Sequence, residues 1–315
     1  MTLELTAQQL LTQTHQTGRW FIKDQQLRSP LLGAELRFTV TNTQSLAVHT
    51  INHANPLSPS QYWAIRIDNG PWQRWAASQL AFEIPMTSDQ HRVRIMTGGN
   101  CDLDDVWFQQ QDFSLTKLVV DDQAIVHPVQ QTKKVLVLGD SITAGCWING
   151  KHASVDYRPE QNYIAIAQNL LPDTEIQRVA YSAAGVLRPG TGNVPPAGQW
   201  LTRLDDQQAA TVGNYDSIVI ALGVNDRRFS ENQFRTAYRD YVQAVQHRYQ
   251  SPVALMVPFR QSFHEIISRI GQELGMAVIQ TTGWCHHTTD GLHPDLQGSQ
   301  EAGEHFAQVL AQLVQ

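Results

Sequence analysis

The second half of this chain carries a serine, a glycine, an asparagine and an aspartate–histidine pair at positions suited to acyl chemistry. Ser141 stands in Gly139-Asp140-Ser141-Ile142-Thr143, directly after the apolar run Val135-Leu136-Val137-Leu138. A serine hydroxyl is a poor nucleophile until a base takes its proton. His293 lies 152 residues further on, in Asp290-Gly291-Leu292-His293-Pro294. With Asp290 three residues before it, a carboxylate can reach the imidazole Nδ1–H. That contact fixes the tautomer and leaves Nε2 free to act as the base.

Such a reaction also needs donors for the negative oxygen that forms during attack. Ser141 follows a buried strand and opens a helix, where backbone N–H groups are unpaired and point outward. Gly185, in Ala180-Tyr181-Ser182-Ala183-Ala184-Gly185, offers a second backbone N–H, and Asn225, in Gly223-Val224-Asn225-Asp226, a side-chain amide. Each residue has a plainer reading on its own. The serine can be a helix cap, the asparagine a turn residue, and the glycine a φ > 0 position. Any one of the 12 histidines can be a surface residue. His286 and His287 lack an acidic residue three places before them and read as loop residues. The four signals gain weight because each falls at the end of an expected strand or in the last loop before the final helix.

Two textures divide the elements that must position these residues. From residue 18 to about 127, short segments alternate apolar and polar residues, as in 35–40, 62–68, 80–84 and 91–95. Turn residues such as Asp68-Asn69-Gly70 and Gly98-Gly99-Asn100 separate them. That pattern predicts an antiparallel β-sandwich, preceded by a short helix over 6–15 with Thr6 as a cap. Beyond about residue 130, continuous apolar strands alternate with amphipathic helices. Strands are expected at 134–139, 175–180, 217–223, 252–257 and 276–280, and helices at 162–171, 231–249, 262–274 and 299–314. Alternation of this kind implies a parallel sheet with helices on both faces, with its site beyond the carboxyl ends of the strands. Two domains are expected, 1–130 and 131–315.

In their order, Gly139-Asp140-Ser141, Gly185, Gly223-Val224-Asn225-Asp226 and Asp290-Gly291-Leu292-His293 resemble the four blocks of the SGNH hydrolase superfamily, also called GDSL-type esterases. The resemblance covers residues 133–315. It implies an α/β catalytic domain with a flavodoxin-like three-layer α/β/α parallel sheet. It also implies Ser141, Asp290 and His293 as the catalytic set, and Ser141, Gly185 and Asn225 as the oxyanion hole. One departure is visible: the asparagine that often begins the second block is replaced near Ala180 or Tyr181. The domain order, a jelly-roll-like β-sandwich before the hydrolase domain, is similar to carbohydrate esterase family two, whose members remove acetyl groups from sugar hydroxyls.

The expected substrate is therefore an acetylated saccharide or another small acyl ester, cleaved through an acyl-enzyme on Ser141 without cofactor or metal. Trp147, Trp200, Phe229 and Trp284 flank the blocks and are candidates for stacking on sugar rings, with packing in the core as the other reading. Two alternatives stand beside an acetylesterase: a general short-chain carboxylesterase or thioesterase, and a carbohydrate-binding protein without turnover. The net charge of −6 with no concentrated basic patch argues against nucleic acid. Neither a signal segment nor a membrane-spanning run is visible. The three widely spaced cysteines fit a reducing compartment, so a cytoplasmic location is expected. The sequence does not indicate an oligomeric state.

Overall fold

The computed structural model describes residues 1–314. The alternating segments of the first half form two six-stranded sheets. One sheet runs Phe21–Lys23, Gln26–Ser29, Phe113–Asp121, Ser45–Ile51 and Ala81–Pro85, with Thr2–Thr6 also paired to Phe113–Asp121. The other runs Ile125–Pro128, Glu35–Thr41, His91–Gly99, Tyr62–Ile67 and Gln73–Ala76, with His15–Thr17 beside Glu35–Thr41. All of these pairings are antiparallel. Period-two patterning decides which side chains turn inward. Leu46, Val48, Phe82 and Ile84 of one sheet meet Phe38, Val40, Val93 and Ile95 of the other in one core. Trp63 is fully buried there against Trp20 and the edge of Phe113. The expected N-terminal helix starts at the Thr6 cap, where Thr6 and Gln9 close a capping box, but is shorter, Ala7–Gln13, because Thr14 turns extended and His15–Thr17 pairs with Glu35–Thr41.

Asp112 sits at the foot of Phe113–Asp121 with neither carboxyl oxygen hydrogen-bonded among the described residues. Burial pushes its pKa up to about 8; Arg28 opposes the rise and Asp205 adds to it. The folded chain thus keeps a proton that the unfolded chain releases near pH 4, so stability falls as pH climbs from about 4 to about 8. Asp112→Asn removes this linkage. Between pH 5 and 8 its stability relative to the parent is expected to rise by roughly 2–4 kcal/mol. Denaturant melts at both pH values measure this, and parallel curves for the two proteins would contradict it.

The second half forms a five-stranded parallel sheet in the order Thr174–Ala180, Lys133–Gly139, Ser217–Ala221, Val253–Met256 and Ala277–Ile279. Counted along the chain this order is 2-1-3-4-5, the doubly wound flavodoxin-like arrangement. The apolar run of the first strand is continuous because helices cover both faces. Val135 and Val137 face Ile164, Phe306 and Leu310 of helices Tyr163–Leu170 and Leu296–Leu313. Leu136 and Leu138 face the side of helices Glu231–Tyr249 and His264–Leu274, with Tyr238, Val242 and Ile267. The last helix begins three residues earlier than expected because Asp295 caps it, accepting from the Gly298 N–H at 2.9 Å.

Pro128 ends the last sandwich strand and Lys133 opens the parallel sheet. The two halves share packing. Leu31, Ala34, Val106 and Trp107 from the sandwich half enter the core of the α/β half. Ala144, Cys146 and Tyr157, from the segment after Ser141, enter the core of the sandwich. Arg19 is buried between them and donates to the carbonyls of Trp200 at 2.6 Å and Arg203 at 2.9 Å.

Candidate active site

Three of the candidate residues leave the sheet from neighbouring positions. Gly139 pairs with Ala180 on one side and Ala221 on the other, so the loops carrying Ser141, Gly185 and Asn225 emerge together. Ser141 opens a single helical turn, Ser141–Ala144, that Gly145 closes at φ 96°. The cap of that turn is Asp140, whose carboxylate accepts from the Ile142 N–H at 3.0 Å. Burial pushes Asp140 up to about 7, against that hydrogen bond and with the added charge of Asp226. A Cβ at Gly139 would lie 2.2 Å from Thr143 Oγ1, so the tight passage from strand to turn requires glycine. Residues that sequence reading missed brace the turn from below. The Thr143 hydroxyl lies 2.8 Å from that of Tyr163, and Asn162 donates to the Thr143 carbonyl at 2.8 Å. Buried Arg178 donates to Asn162 Oδ1 at 3.1 Å.

His293 Nε2 lies 2.8 Å from Ser141 Oγ, and His293 Nδ1 lies 2.8 Å from Asp290 Oδ2. The other carboxylate oxygen, Oδ1, accepts from the backbone N–H groups of His293 at 2.8 Å and Leu292 at 3.0 Å. Burial raises the Asp290 pKa, but the backbone and ring bonds of His293 outweigh it and hold Asp290 below its ordinary value. The ionised carboxylate can only accept, so it selects the Nδ1–H tautomer and leaves the Nε2 lone pair facing the serine hydroxyl. Ser141 is 4% and His293 8% exposed, enclosed yet at the surface. A bridge between Thr288 and Pro294 and the Thr289 N–H bond to the His293 carbonyl at 2.9 Å stiffen this loop. The Thr289 hydroxyl ties it to the serine segment by donating to the Trp147 carbonyl at 2.6 Å.

Asn225 lies on the 3₁₀ turn Val224–Arg228 directly after its strand. Its amide donates to the Ala184 carbonyl at 3.0 Å, and its carbonyl oxygen accepts from Arg188 at 3.3 Å. An amide nitrogen has two hydrogens, so one is left for a ligand. The Gly185 N–H donates to the Arg188 carbonyl at 2.9 Å and must open that bond before it can serve an oxyanion. Glycine is required there for another reason: a Cβ would lie 2.3 Å from Asp226 Oδ1. Asp226 accepts from the N–H groups of Val186, Leu187 and Arg188 at 3.0, 2.9 and 3.1 Å and so shapes the whole second block. Burial raises its pKa above the ordinary value even though those three donors oppose it. The signal for this role was its place directly after Asn225.

The candidate stacking residues separate into two groups. Trp147 is half-buried, with φ 63°, and its ring stacks on His293 with centroids 6.0 Å apart. Phe229 is half-buried at the end of the 3₁₀ turn. Trp200 and Trp284 do not fit the expectation of sugar contact. Trp200 is fully buried against Tyr181 and Tyr241, and Trp284 packs beneath the last helix on His305. Both lie near the blocks in sequence, but the chain turns them into the core. His286 and His287 are exposed and face Glu301. Among the described residues, no group of three or more His, Cys, Asp or Glu side chains is placed to hold a metal ion.

Comparison with known proteins agrees with this architecture. A family two carbohydrate esterase from Cellvibrio japonicus superposes with a TM-score of 0.80 at 19% identity, over 100% of this chain and 98% of that one. A family two carbohydrate esterase from Clostridium thermocellum in complex with cellohexaose gives 0.76 at 15% identity, over 95% and 98%. An acetyl xylan esterase from Butyrivibrio proteoclasticus gives 0.72 at 16%, over 99% and 98%. At these identities the likeness is one of fold. No curated protein matches in sequence. Residues 137–301 match the GDSL-like lipase/acylhydrolase family. This stretch holds the serine turn, both donor loops and the aspartate–histidine loop, and the chain belongs to that family as a carboxylic ester hydrolase.

Proposed function

We propose that this chain removes acetyl groups from carbohydrate hydroxyls through an acyl-enzyme on Ser141. The observation that carries the reading is the unbroken hydrogen-bonded chain from Ser141 Oγ through His293 to Asp290. Ser141 attacks the ester carbonyl while His293 Nε2 accepts its proton, and Asp290 stabilises the imidazolium. The Ser141 N–H and the free amide hydrogen of Asn225 take the oxyanion, joined by Gly185 once its bond to Arg188 opens. His293 returns the proton to the departing sugar oxygen. It then deprotonates the water that releases acetate from Ser141.

Two features support a sugar ester. The fold is that of proteins described as family two carbohydrate esterases, one of them bound to cellohexaose. Trp147 sets an indole beside the base, where a sugar ring can stack. The test is acetate release from acetylated xylo-oligosaccharides beside hydrolysis of p-nitrophenyl acetate and butyrate. The expected result is efficient release from the saccharides and a strong preference for acetyl over butyryl. Equal turnover of both simple esters with no release from saccharides would make the chain a general short-chain carboxylesterase instead.

A further inference from the structure

The far end of the molecule holds a second concave site. The outer face of one sandwich sheet carries arginines in a row across three adjacent strands: Arg94 stands directly opposite Arg37 on one side and Arg66 on the other. Arg92, two residues from Arg94, lies on the same face. Like charges directly opposed across strands are destabilising, so such a row calls for a compensating charge. Glu35 supplies part of it, bonding Arg37 at 2.8 Å and Arg94 through both carboxylate oxygens at 2.8 and 2.9 Å. Asp68 supplies another part but is engaged by His91 at 2.7 Å and by the Arg92 N–H at 2.8 Å. Four guanidinium groups against two carboxylates leave a surplus of two positive charges, in a chain whose net charge is −6. Deeper in, Glu175 pairs with His15, and Arg178 is buried.

These arginines line a cavity of about 200 Å³, closed on its other side by Gln131, Gln168, Asn169 and Pro172 of the α/β half. At about 30 Å³ per water molecule, that space admits a small anion with several waters. Arg66 is held in place by the Gly70 carbonyl at 2.9 Å, Asn169 at 3.0 Å and the Asn69 carbonyl at 3.3 Å, with no carboxylate partner among the described residues. The exposed Arg92 side chain bonds no other described residue. Gln131 and Pro172 precede strands Lys133–Gly139 and Thr174–Ala180, whereas Ser141 follows the far end of the first. Seven residues of strand, at about 3.3 Å each, separate the two sites by about 20 Å.

We propose that this interdomain pocket binds a small oxyanion, a phosphate, sulfate or carboxylate group, on the guanidinium fork of Arg92, joined by the N–H hydrogens of Arg66 and Arg94 that Gly70, Asn69, Asn169 and Glu35 leave unused. Planar guanidinium groups recognise such anions through paired N–H donors. The site is independent of the reading given to Ser141.

Calorimetric titration of the whole chain with sulfate, phosphate and glucuronate, at ionic strength fixed with sodium chloride, tests it. One saturable site per chain is expected. Arg92→Gln should weaken it about tenfold while leaving p-nitrophenyl acetate hydrolysis unchanged. Tighter binding of sulfate or phosphate assigns the pocket to a phosphoryl or sulfuryl group; tighter binding of glucuronate assigns it to an acidic sugar. Arg66→Gln, checked for folding by circular dichroism, should also weaken binding. Absence of a saturable site for all three anions would overturn the proposal and leave the arginines as cement between the halves. Binding that Arg92→Gln does not weaken would overturn it as well.

Discussion

Ser141→Ala is expected to lower turnover of p-nitrophenyl acetate by about four orders of magnitude or more, with little change in stability. The serine had two readings, nucleophile and helix cap, and they predict opposite outcomes. A cap lost to alanine costs about 1 kcal/mol of stability and leaves chemistry alone. In the structure Asp140 caps the turn, accepting the Ile142 N–H, while the Ser141 hydroxyl faces His293 Nε2 at 2.8 Å. Removing that oxygen therefore leaves the cap, the Thr143–Tyr163 contact and the Asn162 bond in place. A fluorophosphonate should label the parent at this position and fail to label the variant. Undiminished hydrolysis in a clean preparation, or equal labelling, would remove Ser141 from the mechanism, whereas a parent that the probe fails to label would revive a sugar-binding protein without turnover.

What the sequence displayed and what it hid follow a physical division. Local rules with one dominant cause were legible. Strand Lys133–Gly139 is covered on both faces, so its residues are apolar without alternation. Helix Glu231–Tyr249 has the expected bounds because Ser230 and Gln233 form a capping box at its start and its apolar face repeats at helical period. The four blocks were legible because each sits where a strand ends or in the loop before the last helix. Features that depend on distant pairing were not. Thr2–Thr6 offers only Leu3 and Leu5 in alternation, and it becomes a strand because Phe113–Asp121 presents a free edge to it. The direction of a side chain in a long loop was equally hidden: Trp200 and Trp147 both lie near a block, yet one is core and the other borders the base. The arginine row is the clearest case. Arg37, Arg66 and Arg94 fall in three separate segments, and only strand register sets them side by side.

Asp290→Asn is expected to lower kcat by about 10²- to 10⁴-fold, less than His293→Ala, because the base itself remains. The loss follows from which way the new amide must face. In the parent, Oδ1 accepts two backbone N–H groups, at 2.8 and 3.0 Å, while Oδ2 accepts the ring Nδ1–H at 2.8 Å. An asparagine that turned its NH₂ toward the backbone would set donor against two donors. Its oxygen therefore stays on the backbone and its NH₂ meets the ring. Nδ1 must then accept, which moves the proton to Nε2 and turns the lone pair away from Ser141. The imidazole keeps its position but presents the wrong tautomer to the serine hydroxyl. Steady-state kinetics of both variants, with the nitrogen resonances of His293 followed by NMR, read the rate and the tautomer separately. Parental kcat in Asp290→Asn, or an unchanged Nδ1–H tautomer with a large loss of rate, would show that orientation of His293 does not depend on this carboxylate.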